Sequence, residues 1–321
     1  HLAAEEGRAE ALAALLEARA ALDPRDGHGS TPLSLAERQG HAEVISALLM
    51  ARAAPDLQLN SGEIPLHLAA FLGHAGAISA LLTARVAVDL ESCGGDTALH
   101  LAAQEGRADA LSVLLEAGAA LDLQTVDGTT PLHMAAHFGH ADAVSALLAA
   151  SAALDLETGG GATPLHLATQ AGRADALSAL LEARAAPDPQ DGDGDTPLSL
   201  AARQGHAKVI AALLKAHAAP DRQQSNGETP LHVAARLGRV AALAVLLEAR
   251  AALDHETGHG DTPLHLATQA GRADALSALL EARAAPDPQD GDGATPLCLA
   301  ARQGHAEVLS ALLKARAAPD L

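Results

Sequence analysis

Thr163-Pro164-Leu165-His166-Leu167-Ala168 is one copy of a phrase that this chain repeats nine times, always 33 residues apart. The copies start at Thr31, Ile64, Thr97, Thr130, Thr163, Thr196, Thr229, Thr262 and Thr295, and His1 falls in register as the fourth position of a tenth. No insertion breaks the count. A fixed period of this length means one small unit stacked many times, each burying its apolar side against its neighbours. The interiors are consumed by stacking, so function has to be sought on a surface.

Reading outward from the phrase, residues 23–55 show one unit in full. Asp26-Gly27-His28-Gly29 is turn chemistry, with glycines free to take positive φ. Thr31 followed by Pro32 reads as an N-cap and a proline at the first helical position, where a missing N–H costs nothing. Leu33, Leu35 and Ala36 form a short apolar face that stops at Gly40, a natural left-handed terminator. A second helix carries Val44, Ile45, Leu48 and Leu49 as one stripe at helical spacing. Acids recur in its first turn (Glu43, Asp109, Asp175) and arginines after its last (Arg52, Arg184, Arg283), each sign suiting the helix dipole. Neither helix is long enough to stand alone, so neighbours must supply the burial.

The phrase, followed by Gly40-His41-Ala42 and the Leu48-Leu49 pair, resembles the ankyrin repeat, and the resemblance covers the whole chain. It implies an all-α ankyrin-repeat solenoid, in which helix pairs stack and β-hairpin-like loops project from one edge. The expected organisation is a single array over 1–321: a partial repeat at 1–30, then repeats starting at 31, 64, 97, 130, 163, 196, 229, 262 and 295. It further implies protein binding on a concave side formed by the loops and first helices. Two departures stand out. The family's Gly-Ala-Asp after the second helix is Arg184-Ala185-Ala186 here, and Gly118 alone keeps the glycine. Either arginine takes a left-handed conformation at about 1 kcal/mol, or the helix ends another way. Ile64 replaces the capping threonine, a loss of ~1 kcal/mol that marks a local soft spot.

Composition narrows the function. The formal net charge is −19, which argues against nucleic acid and anionic membrane surfaces and favours a basic protein partner or simple solubility. No apolar run reaches membrane-spanning length. Cys93 and Cys298 lie too far apart for a bridge within a rigid stack, which fits a reducing, intracellular and cytoplasmic setting. There is no Trp or Tyr and there are two Phe, a thin core of alanine and leucine rather than aromatic bulk.

Several letter patterns mimic chemistry. His255-Glu256-Thr257-Gly258-His259 spells a zinc-protease motif, but it falls on a loop tip rather than a helix, where the two histidines would need to lie one turn apart. His133, His137 and His140 could gather at one helix end, yet His133 occupies the slot filled elsewhere by His67, His100, His166, His232 and His265. The resemblance gives that imidazole structural hydrogen bonds. Asp188, Asp191, Asp193 and Asp195 crowd one loop, but the acid expected to complete a calcium loop falls on Ala202. The row Asp23, Asp56, Asp89, Asp122, Asp155, Asp188, Asp221, Asp254, Asp287 and Asp320 recurs once per unit, which signals a loop-capping role and not a convergent active site. No catalytic residue, metal ligand or cofactor site is expected.

The informative positions vary while the frame repeats. Before each helix-ending glycine stand pairs such as Phe71-Leu72, Gln104-Glu105, His137-Phe138, and Arg203 and Arg236 with their neighbours. By the resemblance these edge the concave groove. Both phenylalanines are among them, either as protein-binding anchors or as packing for the next unit. After the loop glycine come Glu63, Asp96, Asp195, Glu228 and Asp261, an acidic ribbon that either steers a basic partner or keeps the rod soluble. The expected function is a monomeric, non-enzymatic protein-interaction scaffold. The alternatives are the targeting arm of a larger enzyme, or a spacer without a fixed ligand.

Residues 162–221 and 261–320 differ at seven places, so a block of repeats has been copied. The last repeat keeps Val308, Leu309, Leu312 and Leu313 where a terminal unit usually turns polar. This reads as a slice of a longer protein.

Overall fold

A computed structural model describes residues 1–57 and 64–318. They form two compact units, His1–Gly159 and Gly160–Leu321. The first holds α1 (Leu2–Glu5), α2 (Ala9–Glu17), α3 (Pro32–Gln39), α4 (Ala42–Met50), α5 (Pro65–Leu72), α6 (Ala75–Thr83), α7 (Ala98–Gln104), α8 (Ala108–Glu116), α9 (Pro131–Phe138) and α10 (Ala141–Ala149). The second holds α11 (Pro164–Gln170), α12 (Ala174–Glu182), α13 (Pro197–Gln204), α14 (Ala207–Lys215), α15 (Pro230–Leu237), α16 (Val240–Glu248), α17 (Pro263–Gln269), α18 (Ala273–Glu281), α19 (Pro296–Gln303) and α20 (Ala306–Lys314). Within each unit odd-numbered helices pack on odd and even on even, while each pair is also packed internally. This is an all-helical solenoid; among the described residues the projecting loops are tight turns rather than strands. Seven of the described turns close on themselves, as where Asp26 N–H donates to the Ser30 carbonyl at 3.0 Å.

The repeated phrase works as a joint. Thr97 N–H donates to His100 Nδ1 at 3.1 Å, and that ring's Nε2 lies 3.1 Å from the Thr129 carbonyl in the turn that leads into the following repeat. A nitrogen that accepts from an amide carries no proton, so the ring is the neutral Nε2–H tautomer, donating across the seam. The same bridge joins His166 to Asp195 and His232 to Asp261, and His67 reaches the Leu90 carbonyl at the start of its own following loop. All four rings are fully buried. Burial holds His100, His166 and His232 below the usual imidazole range, opposed only in part by these carbonyls.

A second joint uses the aspartate row. Asp89 Oδ1 accepts the Ala120 N–H at 2.9 Å, and Asp221 accepts that of Ala252 at 2.8 Å. The acid therefore caps, but across the seam: its partner is the backbone beyond the next repeat's second helix. A third joint explains the glycine after each first helix. A Cβ on Gly106 (φ +63) would lie 2.4 Å from the His140 ring, so the position needs glycine both for conformation and for space.

Arginine takes the left-handed option. Arg52 has φ 72 and Arg184 φ 69, as do their equivalents, with Ser151 and His217 at the same place in two repeats. Arg52 N–H donates to Leu49 and Ala53 N–H to Leu48, the bonding of a Schellman cap. The strain, about 1 kcal/mol per residue, is retained because those carbonyls would otherwise be left without donors.

The Ile64 site is only half a cap. Ile64 N–H still reaches His67 Nδ1 at 3.3 Å, but Ile64 has no hydroxyl to set against that ring, as Thr97 sets one against His100 at 2.9 Å, and the His67 N–H bonds the Ile64 carbonyl at 3.0 Å.

Candidate functional site

In the first unit, α5, α7 and α9 pack side by side and end in the variable pairs. The left-handed Gly73 and Gly139 stop α5 and α9 immediately after Leu72 and Phe138. Each phenylalanine therefore sits at a helix end, over the edge of the stack. Phe71 is 37% exposed and Phe138 40%, so each is partly covered within the unit and partly open to solvent. His137 stands edge-on to Phe138, with ring centres 5.1 Å apart at 85°. Leu72 is half-buried.

On α7 between them, Gln104 Nε2 donates to Glu105 Oε1 at 3.1 Å, and Arg107 lies 3.9 Å from Glu105. Arg107 is also anchored through Nε to the Phe71 carbonyl at 3.1 Å. Asp96 is half-buried, with Ser92 Oγ at 3.4 Å. Glu63 lies outside the described residues. The first unit thus brings Phe71, Leu72, Gln104, Glu105, His137 and Phe138 onto the ends of three adjacent helices: two aromatic faces with hydrogen-bonding groups between them.

The second unit arranges its candidates differently. Asp195 is buried, and Arg203 Nη2 reaches its two oxygens at 2.7 and 2.8 Å while Gln224 donates to Oδ1. Desolvation pushes the Asp195 carboxyl up, and the Arg203 guanidinium pulls against it. Glu228, also buried, holds Arg236 at 2.8 Å, and Asp261 takes Gln269 Nε2 at 3.0 Å. Burial pushes Asp261 up as well. Along this edge the acids are neutralised or satisfied by side chains of the helix that follows each turn and, for Asp195, by Gln224 of the next loop, and Arg203 and Arg236, about 40% exposed at the side chain, are what faces out. Sequence reading missed this pairing: acid and base stand eight residues apart, and the turn between them decides whether they meet.

The chemical mimics have structural tasks. Thr257 Oγ1 accepts the N–H of His259 and of Asp261, so the His255–His259 run is a turn. Asp191 Oδ1 accepts the N–H groups of Asp193 and Asp195, while Asp188 accepts that of Ala219. The ring of His133 takes the Thr130 N–H at 3.2 Å. Among the described residues no helix is long and apolar enough to cross a membrane.

Comparison with known proteins agrees with this geometry. A family model described as ankyrin repeats in three copies matches residues 49–125, 117–191, 183–257 and 250–321, and a single ankyrin-repeat model matches 28–60. The crystal structure of the human ASB11 ankyrin repeat domain is similar at 32% identity and a TM-score of 0.62, over 68% of this chain and 98% of that one. No curated protein matches.

Proposed function

The chain belongs to the ankyrin-repeat proteins, which are generally protein–protein interaction modules, and from that membership we propose that it is a non-enzymatic scaffold whose partner docks on the first unit's edge at Phe71, Leu72, His137 and Phe138. One observation carries this reading: the only two phenylalanines of a chain without Trp or Tyr both fall in the variable pair before a helix-ending glycine, two repeats apart, Phe71 in the column of His137 and Phe138 in that of Leu72, and both are partly open to solvent. Half-open aromatics ringed by polar groups are the composition of a binding hot spot. Gln104 and Glu105 supply the hydrogen bonds between the two anchors, and Glu105 gives the site an acid for a basic partner. The packing role of each ring is compatible with docking, since the buried half fixes the exposed half in place.

The test is a paired capture. Wild type and the Phe71→Ala, Phe138→Ala double variant are each immobilised, and retained proteins are identified by mass spectrometry. The reading expects the variant to keep its helical circular dichroism and lose specific partners by tenfold or more, as hot-spot truncation does at roughly 2 kcal/mol. Unchanged retention places docking elsewhere, with the outward Arg203 and Arg236 edge as the next surface. If neither protein retains anything specific, the spacer reading stands.

A further inference from the structure

Glu37 stands in a column otherwise filled by Ala4, Ala70, Ala103, Ala136, Thr169, Ala202, Ala235, Thr268 and Ala301. It lies on α3 with 0% exposure, and neither carboxyl oxygen has a hydrogen-bond partner. Helix α3 packs against α1, α4 and α5, so those helices are where a compensating charge would have to come from. They do not supply one. Glu5 on α1 is drawn to Arg38 at 3.4 Å. His41, just before α4, places Nε2 3.0 Å from the Glu5 carbonyl, and Glu43 on α4 is exposed. His67 on α5 is committed to Ile64 N–H and the Leu90 carbonyl. Burial with no offsetting charge or donor pushes the Glu37 carboxyl well above the usual range.

A neutral carboxyl can be buried at moderate cost, whereas an unpaired carboxylate cannot. On the far side of α3, helix α5 begins at Ile64, which offers no side-chain acceptor to its first turn. The polar intrusion and the weakened cap fall at the same joint. We propose that Glu37 makes the α1–α3–α5 joint proton-sensitive: α3 stays seated while the side chain holds its proton and unseats locally when the proton is lost. The linkage sign follows from the raised value. The stability of this joint is fully present below the unfolded carboxyl range and disappears as pH rises through the folded-state value. The inference is independent of where a partner docks.

Hydrogen exchange on the full chain tests it, with amide rates corrected for intrinsic chemistry between about pH 5 and about pH 8. Wild-type protection in α3 should fall by roughly tenfold or more as pH rises over that range, while α13, which carries Ala202 at the same position, shows no such fall. Glu37→Gln, which cannot ionise, should hold α3 level too. Glu37→Ala restores the column's common residue, so it should fold, and it should raise α3 protection at every pH. The proposal is overturned if wild-type α3 protection is independent of pH, or if either variant reproduces the wild-type fall.

Discussion

Residues 196–219 and 295–318 differ at five positions, yet the same stripes meet different surroundings. In the first segment α13 and α14 have a repeat on each side; in the second, among the described residues, α19 and α20 are packed by α17 and α18. Val209 and Leu213 are buried, and so are their counterparts Val308 and Leu312. The other stripe parts company. Ser199 and Ala202 are fully buried, whereas Cys298 and Ala301 are exposed. Ile210 is fully buried and Leu309 only partly, while Leu313 is 50% exposed. One stripe faces the preceding repeat and the other awaits the following one. Burial in this molecule is therefore assigned by neighbours, as expected where each repeat's stability is an intrinsic part plus two interfaces.

The sharpest way to break that comparison is to cut the stripe that differs. Ile210→Ala should destabilise the second unit by about 3 kcal/mol, the usual cost of truncating a fully buried branched chain. Leu309→Ala should cost ~1 kcal/mol, because part of the removed surface is already in water. Urea denaturation followed by circular dichroism reads both. Equal losses would mean that position in the stack is irrelevant.

The histidine joint offers the next largest effect, because the chain itself supplies the alternative residue: Ser34, Ser199 and Cys298 occupy the imidazole slot in three repeats. His166→Ser gives up the bridge to the Asp195 carbonyl, 3.2 Å away, and should cost about 1–2 kcal/mol near neutral pH. It should also change the acid limb. His166 is held below the usual imidazole value by burial, so the unfolded chain binds the proton more readily. The stability from this residue is full above the ordinary histidine range, about 6.5, and is lost as pH falls toward the lower folded-state value. Acid titration of the variant should lose that part of the slope, and an unchanged slope would refute the neutral bridging ring. Histidine joints and Glu37 thus tilt stability in opposite directions with pH.

The smallest effect should be identical in the two segments. His217 and Arg316 both have φ 66, and replacing either with glycine removes left-handed strain while adding chain entropy to the unfolded state. A net gain below about 1 kcal/mol is expected in each, measured by the same denaturation. A clear difference between the two would show that the strain is set by packing and not by the backbone alone.

Much of the fold is written locally. Thr-Pro at a helix start, glycine at its end and the Val44-Ile45-Leu48-Leu49 stripe each follow from interactions within a turn or two, so their reading needs no partner. The arginine after the second helix was legible as a choice between two conformations. Its resolution depends on Schellman bonds that only a finished helix end presents. The aspartate row was legible as a cap, but its donor belongs to the next repeat, 31 residues away. Sequence reading passed over Glu37, the one acid in a column of alanines and threonines, and its burial without a partner emerged from the packing. The candidate site was legible as positions. That Phe71 and Phe138 stay partly open to solvent, and that Asp195 and Glu228 are already held by Arg203 and Arg236, emerged from the packing.

The sequence alone determined the repeat, its register and where each helix begins and stops, because those depend on hydrogen bonds and steric preferences between residues close along the chain. Tertiary structure decided which apolar stripe leaves water, which charges meet and which acid must keep its proton. Desolvation and Coulomb attraction act between surfaces brought together from neighbouring repeats, and two nearly identical segments reach different burial where the described residues pack different neighbours against them.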